Sequence, residues 1–186
     1  YFGKLASFVK HYLFHAYRAS YYGCELWSLT KSNVKEFCVA WRKSLRRVWS
    51  LPFQTPGDLL PLLFQCLPVF DEICRRSLNL VRSYIRHESD LVQFIALHGL
   101  YARSRSLFGR NLVFCAERFN CSINDLIYGR IPIIINSYVR NSVDETTVDR
   151  AVFLRELIMI RGSSLTISGL LSSDELNDII SHVCTS

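Results

Sequence analysis

Five cations, Lys35, Arg42, Lys43, Arg46 and Arg47, crowd into one short stretch of this sequence. At about 100° per residue from Val34 they span roughly 80° to 220° around a helix, whereas Phe37, Cys38, Trp41, Leu45, Val48 and Trp49 span roughly 300° to 60°. One face can pack while the other offers a positive stripe, and guanidinium forks match phosphate oxygens better than ammonium groups do. The chemistry this suits is neutralisation of a polyanion backbone. The plainer alternative is a solvated basic face, the usual fate of charge runs.

Arg103, Arg105 and Arg110 form a second group, interleaved with Ser104 and Ser106 at an expected helix start, where hydroxyls and free N–H groups favour phosphate. Arginines capping backbone carbonyls would read the same way. Arg75, Arg76, Arg82 and Arg86 are a weaker cluster, offset by Asp71, Glu72 and Glu88.

Nothing resembling an enzyme centre accompanies these cations. The acidic pairs Asp71-Glu72, Asp144-Glu145 and Asp174-Glu175 all fall in expected opening turns of helices, where the dipole accounts for them without two-metal chemistry. His11 and His15 share a helical face at i, i+4 but have no local Cys or carboxylate as a third ligand, so core packing or surface exposure is expected rather than zinc. No G-x-S-x-G, phosphate-cradling glycine loop, H-E-x-x-H or Tyr-x-Asp-Asp occurs. The expectation is no catalytic residue, no metal and no cofactor in this chain.

The elements that must position these side chains read as nearly all helix. Apolar residues recur at three- and four-residue steps from Lys4 to Tyr22. Ser32 or Asn33 can cap a helix to about Trp49, which Leu51-Pro52 stops. After a Gln54–Asp58 turn, a short helix over 59–65 is predicted, then one from Val69 to about Arg86 behind Pro68. Ser89 or Asp90 starts a helix to about Arg103, and Ser106 starts one through Phe119. Ile131-Pro132-Ile133-Ile134-Ile135 fits either a short strand or the entry to a buried helix, with loop plus helix preferred over 121–141. Capping boxes Ser142-x-x-Glu145 and Ser172-x-x-Glu175 precede two last helices.

The 186 residues are 49% hydrophobic and 20% charged, which allows one compact domain or two small ones and excludes a disordered tail. The net charge of +6 is unevenly spread: residues 1–50 hold nine cations against two anions, and residues 141–186 hold three against seven. This asymmetry points to nucleic acid first and an anionic membrane surface second. The longest stretches free of charge, 12 residues at 59–70, 91–102 and 162–173, fall short of the ~18 that a membrane span needs. Seven dispersed cysteines without a C-x-x-C suit reduced, buried thiols in an intracellular protein. With Tyr1 first and Met159 its only methionine, the chain is expected to be a processed product or an excerpt.

As an ordered set, YGCELW at 22–27, AWRKSLRRVWSLP at 40–52, LLP at 59–61, DEICRRSLNLVRS at 71–83 and SLFGRN at 106–111 resemble the segment downstream of the polymerase palm in LINE-type non-LTR retrotransposon reverse transcriptases, of the broad jockey-like and RTE-like groups. The resemblance covers about residues 4–120. It implies a thumb-like helical bundle followed by a helical carboxy-terminal extension, divided at 1–104 and 105–186 by a soft boundary that the chain's organisation places near 104–106 or 120–122. It also implies that Lys35, Arg42, Lys43, Arg46 and Arg47 lie at a template–primer backbone while Trp27, Trp41 and Trp49 pack the bundle. The implied partners are an RNA–DNA hybrid or duplex nucleic acid and the catalytic palm domain of the same polyprotein, with no membrane, in nucleus and cytoplasm. The rival expectation is a helical protein-interaction domain, such as a domesticated or decayed element fragment.

Overall fold

The computed structural model describes residues 21–49, 51–102, 105–162 and 173–185. Among them are nine α-helices, one 3-10 turn at Cys24–Leu26 and no strand, so the fold is the expected all-α one. In chain order the helices are α1 (Ser32–Val48), α2 (Leu59–Leu63), α3 (Val69–Ile85), α4 (Asp90–Tyr101), α5 (Leu107–Phe119), α6 (Ile123–Tyr128), α7 (Ile131–Asn141), α8 (Glu145–Gly162) and α9 (Ser173–Thr185).

They gather into two compact units. One unit joins residues 21–38 to 69–142. Its axis is α3, whose buried Val69, Ile73, Cys74, Leu78 and Val81 recur at helical spacing and face the 3-10 turn, α4, α5, α6 and α7. The other unit joins residues 39–68 to the chain from 143 onward, with α8 packed on both α2 and α9. The first turns of α1 belong to the former unit and its remainder to the latter. A boundary between 104 and 105 would separate α4 from α5, which pack on each other within one unit because each leaves a stripe too apolar to stand alone.

Local chemistry explains the helix ends. Ser106 caps α5 by accepting the Gly109 N–H at 2.9 Å, and Asn120 closes that helix in the left-handed conformation, φ 47°. Ser122 and Asp125 make a reciprocal capping box on α6. Residues 131–135 are helical rather than extended: Pro132 falls in the first turn of α7, where a missing N–H costs nothing.

Two local expectations change. The cap of α8 is Asp144, whose carboxylate accepts the Thr147 N–H at 3.3 Å as well as the Thr146 and Thr147 hydroxyls. Ser142 instead donates its hydroxyl to the Val139 carbonyl at 2.8 Å and closes α7. Tyr21 and Tyr22 lie in a turn; the rest of the helix expected over 4–22 is outside the described residues, as is Ser172.

Candidate nucleic-acid interface

The α1 helix sorts its side chains as its periodicity requires. Val34, Cys38, Trp41 and Leu45 are buried, and Lys35, Lys43 and Arg47 are exposed. Trp27 sets its ring edge-on to Phe37 at 5.1 Å, and Trp49 lies 5.1 Å from Phe64. All three tryptophans therefore serve packing.

Arg42 and Arg46 are half-buried because they hold the turn that follows the helix. Arg46 donates Nε and Nη2 to the Thr55 carbonyl at 3.0 and 2.7 Å, and its guanidinium lies 5.9 Å from the Phe53 ring centre. Thr55 is itself buried and donates its hydroxyl to the Pro52 carbonyl at 2.7 Å. Burial, and then the neighbouring Arg42, pull the Arg46 pKa below the usual arginine value. The Arg42 stem runs over Gly57, where a Cβ would stand 3.0 Å from its Cδ. Both arginines thus shape residues 52–58, whereas Lys43 and Arg47 on the same helix are exposed.

Among the described residues no carboxylate pairs with any of the five. Of the two anions close in sequence, Glu36 is exposed and Glu25 turns toward Arg76, with Oε1 3.7 Å from its Nη1. Lys35 belongs to the 21–38 and 69–142 unit, as do Arg105 and Arg110. Those two arginines are exposed, and Arg110 donates Nη1 to the Arg105 carbonyl at 3.2 Å. The Ser106 hydroxyl is committed to the α5 cap and to the Gly99 carbonyl, so it is not a spare phosphate donor. Arg103, Ser104, His11 and His15 lie outside the described residues.

The third cationic cluster is built differently. Glu72, 6% exposed, takes a two-pronged bond from Arg75 (both contacts 2.7 Å) and a further one from Arg76 Nε at 2.9 Å. Burial pushes the Glu72 pKa up, but the bonds from Arg75 and Arg76 outweigh it and hold the carboxyl below its usual range. Asp71, 2% exposed, accepts from Arg118 Nε at 2.7 Å, and the Arg118 guanidinium lies 4.8 Å from the Phe70 ring centre and 5.2 Å from that of Tyr138. The dipole of an opening turn is therefore only part of why Asp71 and Glu72 are there. Carboxylates at i with arginines at i+3 and i+4 were the visible signal for Glu72. Nothing local in sequence pointed to Asp71–Arg118.

Asn111 was also missed. Fully buried, it accepts the Leu29 N–H at 3.1 Å and donates to the Trp27 carbonyl at 2.8 Å and the Ser77 hydroxyl at 3.3 Å. Three of the motif segments, 22–27, 71–83 and 106–111, meet at these polar contacts, so their residues act as joints of one unit.

None of the seven cysteines forms a disulfide, and burial pushes the Cys24 thiol up to about 12. Among the described residues no three His, Cys, Asp or Glu side chains cluster as a metal site, and no helix is long and apolar enough to cross a membrane. The exposed cations Lys35, Lys43, Arg47, Arg105 and Arg110 lie on or beside helices. Comparison of the chain with protein-family models, with curated proteins and with solved structures finds no match.

Proposed function

We propose that this chain is a non-catalytic nucleic-acid-gripping segment of an RNA-directed DNA polymerase of the non-LTR retrotransposon type. The palm of the same polyprotein would supply the catalytic aspartates, and this chain would hold the template–primer duplex, in nucleus or cytoplasm. The observation that carries the reading is that exposed cations of α1, Lys43 and Arg47 in one unit and Lys35 in the other, have no carboxylate partner among the described residues. A grip on a moving duplex needs contacts indifferent to sequence, and phosphate neutralisation has that property. Arg105 and Arg110 are further candidates, with Arg103 as their sequence neighbour.

Fluorescence anisotropy with labelled RNA–DNA hybrid and duplex DNA over a salt series tests this. If the three exposed cations of α1 each neutralise one phosphate, log K against log salt falls with a slope of about −2.7, or about −4.5 if Arg42 and Arg46 leave their turn to join them. Lys35→Glu with Lys43→Glu and Arg47→Glu should weaken binding equally across sequences and flatten the slope, with helix content unchanged. Equal affinity in that folded variant would remove α1 from any nucleic-acid role. The second reading, a helical protein-interaction domain, is favoured by one observation, the apolar outer face of α4.

A further inference from the structure

The α4 helix is apolar along almost its whole length yet buries only Ala96. Its outer face carries Leu91 (68% exposed), Phe94 (68%), Ile95 (59%) and Tyr101 (85%), with His98 stacked on Phe94 at 6.3 Å. Leu91, Phe94, His98 and Tyr101 follow the three-four-three spacing of a helix-pairing seam, and here that seam faces outward. Through Tyr101 and the adjacent Leu97 it runs into a cavity of about 160 Å³ between α4, α5 and α6, floored by Leu100, Leu112, Val113 and Ile127. An apolar space of about this size admits a benzene-sized group.

The geometry points to a second copy of this chain as the occupant, paired through α4 about a two-fold axis that passes between Phe94 and His98. Three features favour this. Exposed Glu88 and Asp90 stand at the amino end of α4, and exposed Arg105 and Arg110 stand past its carboxy end. Antiparallel pairing brings the acidic end of one copy to the basic end of the other and opposes the two helix dipoles. Nearby, Arg86 follows α3 rather than the seam, and His87 faces its own loop, accepting the Ser89 N–H at 3.1 Å.

The register is the second feature. With the axis there, Phe94 lies opposite the second copy's His98, and the second copy's Leu91 lies opposite the Tyr101 end, beside the cavity, as a side chain able to fill it. Area is the third. The exposed parts of Leu91, Phe94, Ile95, Leu97 and Tyr101 offer at most roughly 600–700 Å² per copy, at the low end of the ~600–1,000 Å² per partner of a stable interface.

Sedimentation equilibrium of the full 186-residue chain, without nucleic acid, tests the pairing. The expected result is a reversible dimer with a micromolar dissociation constant. Phe94→Glu with Tyr101→Glu should weaken it by more than about tenfold while the circular dichroism stays helical, since both rings are already mostly exposed. Arg105→Glu should weaken it too, and adding Glu88→Arg and Asp90→Arg to that variant should restore it. A chain that stays monomeric at hundreds of micromolar overturns the proposal, as does a Phe94/Tyr101 double variant that dimerises like the parent. Failure of the charge swap to rescue overturns the antiparallel register.

Discussion

Arg75, Arg76 and Arg118 turn their guanidinium groups onto carboxylates, and two aromatic rings flank Arg118. Lys35, Lys43 and Arg47 on α1 have no such partners among the described residues. The residue types are similar and the roles opposite. What separates them is whether an acid sits within reach on the same or a neighbouring helix. Formal net charge counts both groups alike, but only the second is available to a polyanion. Cation counts over a sequence therefore overstate a binding face wherever i, i+3 and i, i+4 acids are present.

The contrast makes stability and binding separable. Asp71→Ala should cause the largest loss, because it leaves the Arg118 guanidinium, with 28% of its side chain exposed, without its carboxylate among packed rings. Removing one member of a buried pair costs about 3–5 kcal/mol, and the partial exposure of Arg118 places this case near the lower end. Urea unfolding followed by circular dichroism measures it. The Lys35, Lys43 and Arg47 charge reversals should stay within about 0.5 kcal/mol by the same measurement, since they touch no buried partner. A loss from those reversals as large as that of Asp71→Ala would erase the distinction.

Next in size is Asn111→Ala. It strands the Leu29 N–H and the Trp27 carbonyl where water does not readily replace the amide, at a cost of about 2 kcal/mol. Asn111→Asp keeps an acceptor for Leu29 but buries an unpaired carboxylate against the Trp27 carbonyl, so it should cost at least as much as Ala. Full rescue by Asp would mean that the Trp27 carbonyl does not depend on this side chain. The readout is again the urea midpoint at neutral pH.

The helices themselves were legible because their signals are local. The α1 helix runs from Ser32 to Val48, within a residue or two of the bounds its sequence signals predict, though Ser32 lies inside it rather than at its cap; α5 begins behind Ser106 as expected. The 131–135 run was ambiguous because β-branched residues suit either state, and Pro132 in the first turn of α7 is compatible with the helix. Asp144 displaced Ser142 as a cap because two acceptors next to a helix start compete, and the nearer carboxylate also takes two threonine hydroxyls. The candidate site was legible as a stripe and not as a set of free charges. That Arg46 would clamp Thr55 depends on how 52–58 folds back, which no periodicity reports. The Asp71–Arg118 pair and the Asn111 joint span long sequence separations, and only the assembled unit brings them together. The apolar character of α4 was visible as a helix signal, but its outward face was not, since hydropathy cannot say which neighbours a helix lacks.

The smallest expected effect concerns acid, and it probes the paired arginines through their shared carboxylate. Burial raises the Glu72 pKa, and the bonds from Arg75 and Arg76 lower it by more, so the folded value lies below the unfolded one. A group shifted this way contributes stability above its unfolded pKa, near 4.3, and loses it as pH falls through the folded value. Unfolding free energy should therefore decline below about pH 4.5 with a component that Glu72→Gln removes. At neutral pH the Gln variant should already be less stable, because Arg75 and Arg76 lose their anion; at low pH the two proteins should converge. The exposed α1 cations form no ion pair with Glu72, whose partners are Arg75 and Arg76, so the charge-reversed α1 variant should keep the parent's Glu72 component. Parallel pH profiles for the parent and Glu72→Gln, with a constant gap down to pH 2, would show that the carboxylate adds nothing beyond shape and that the inward arginines are held by packing alone.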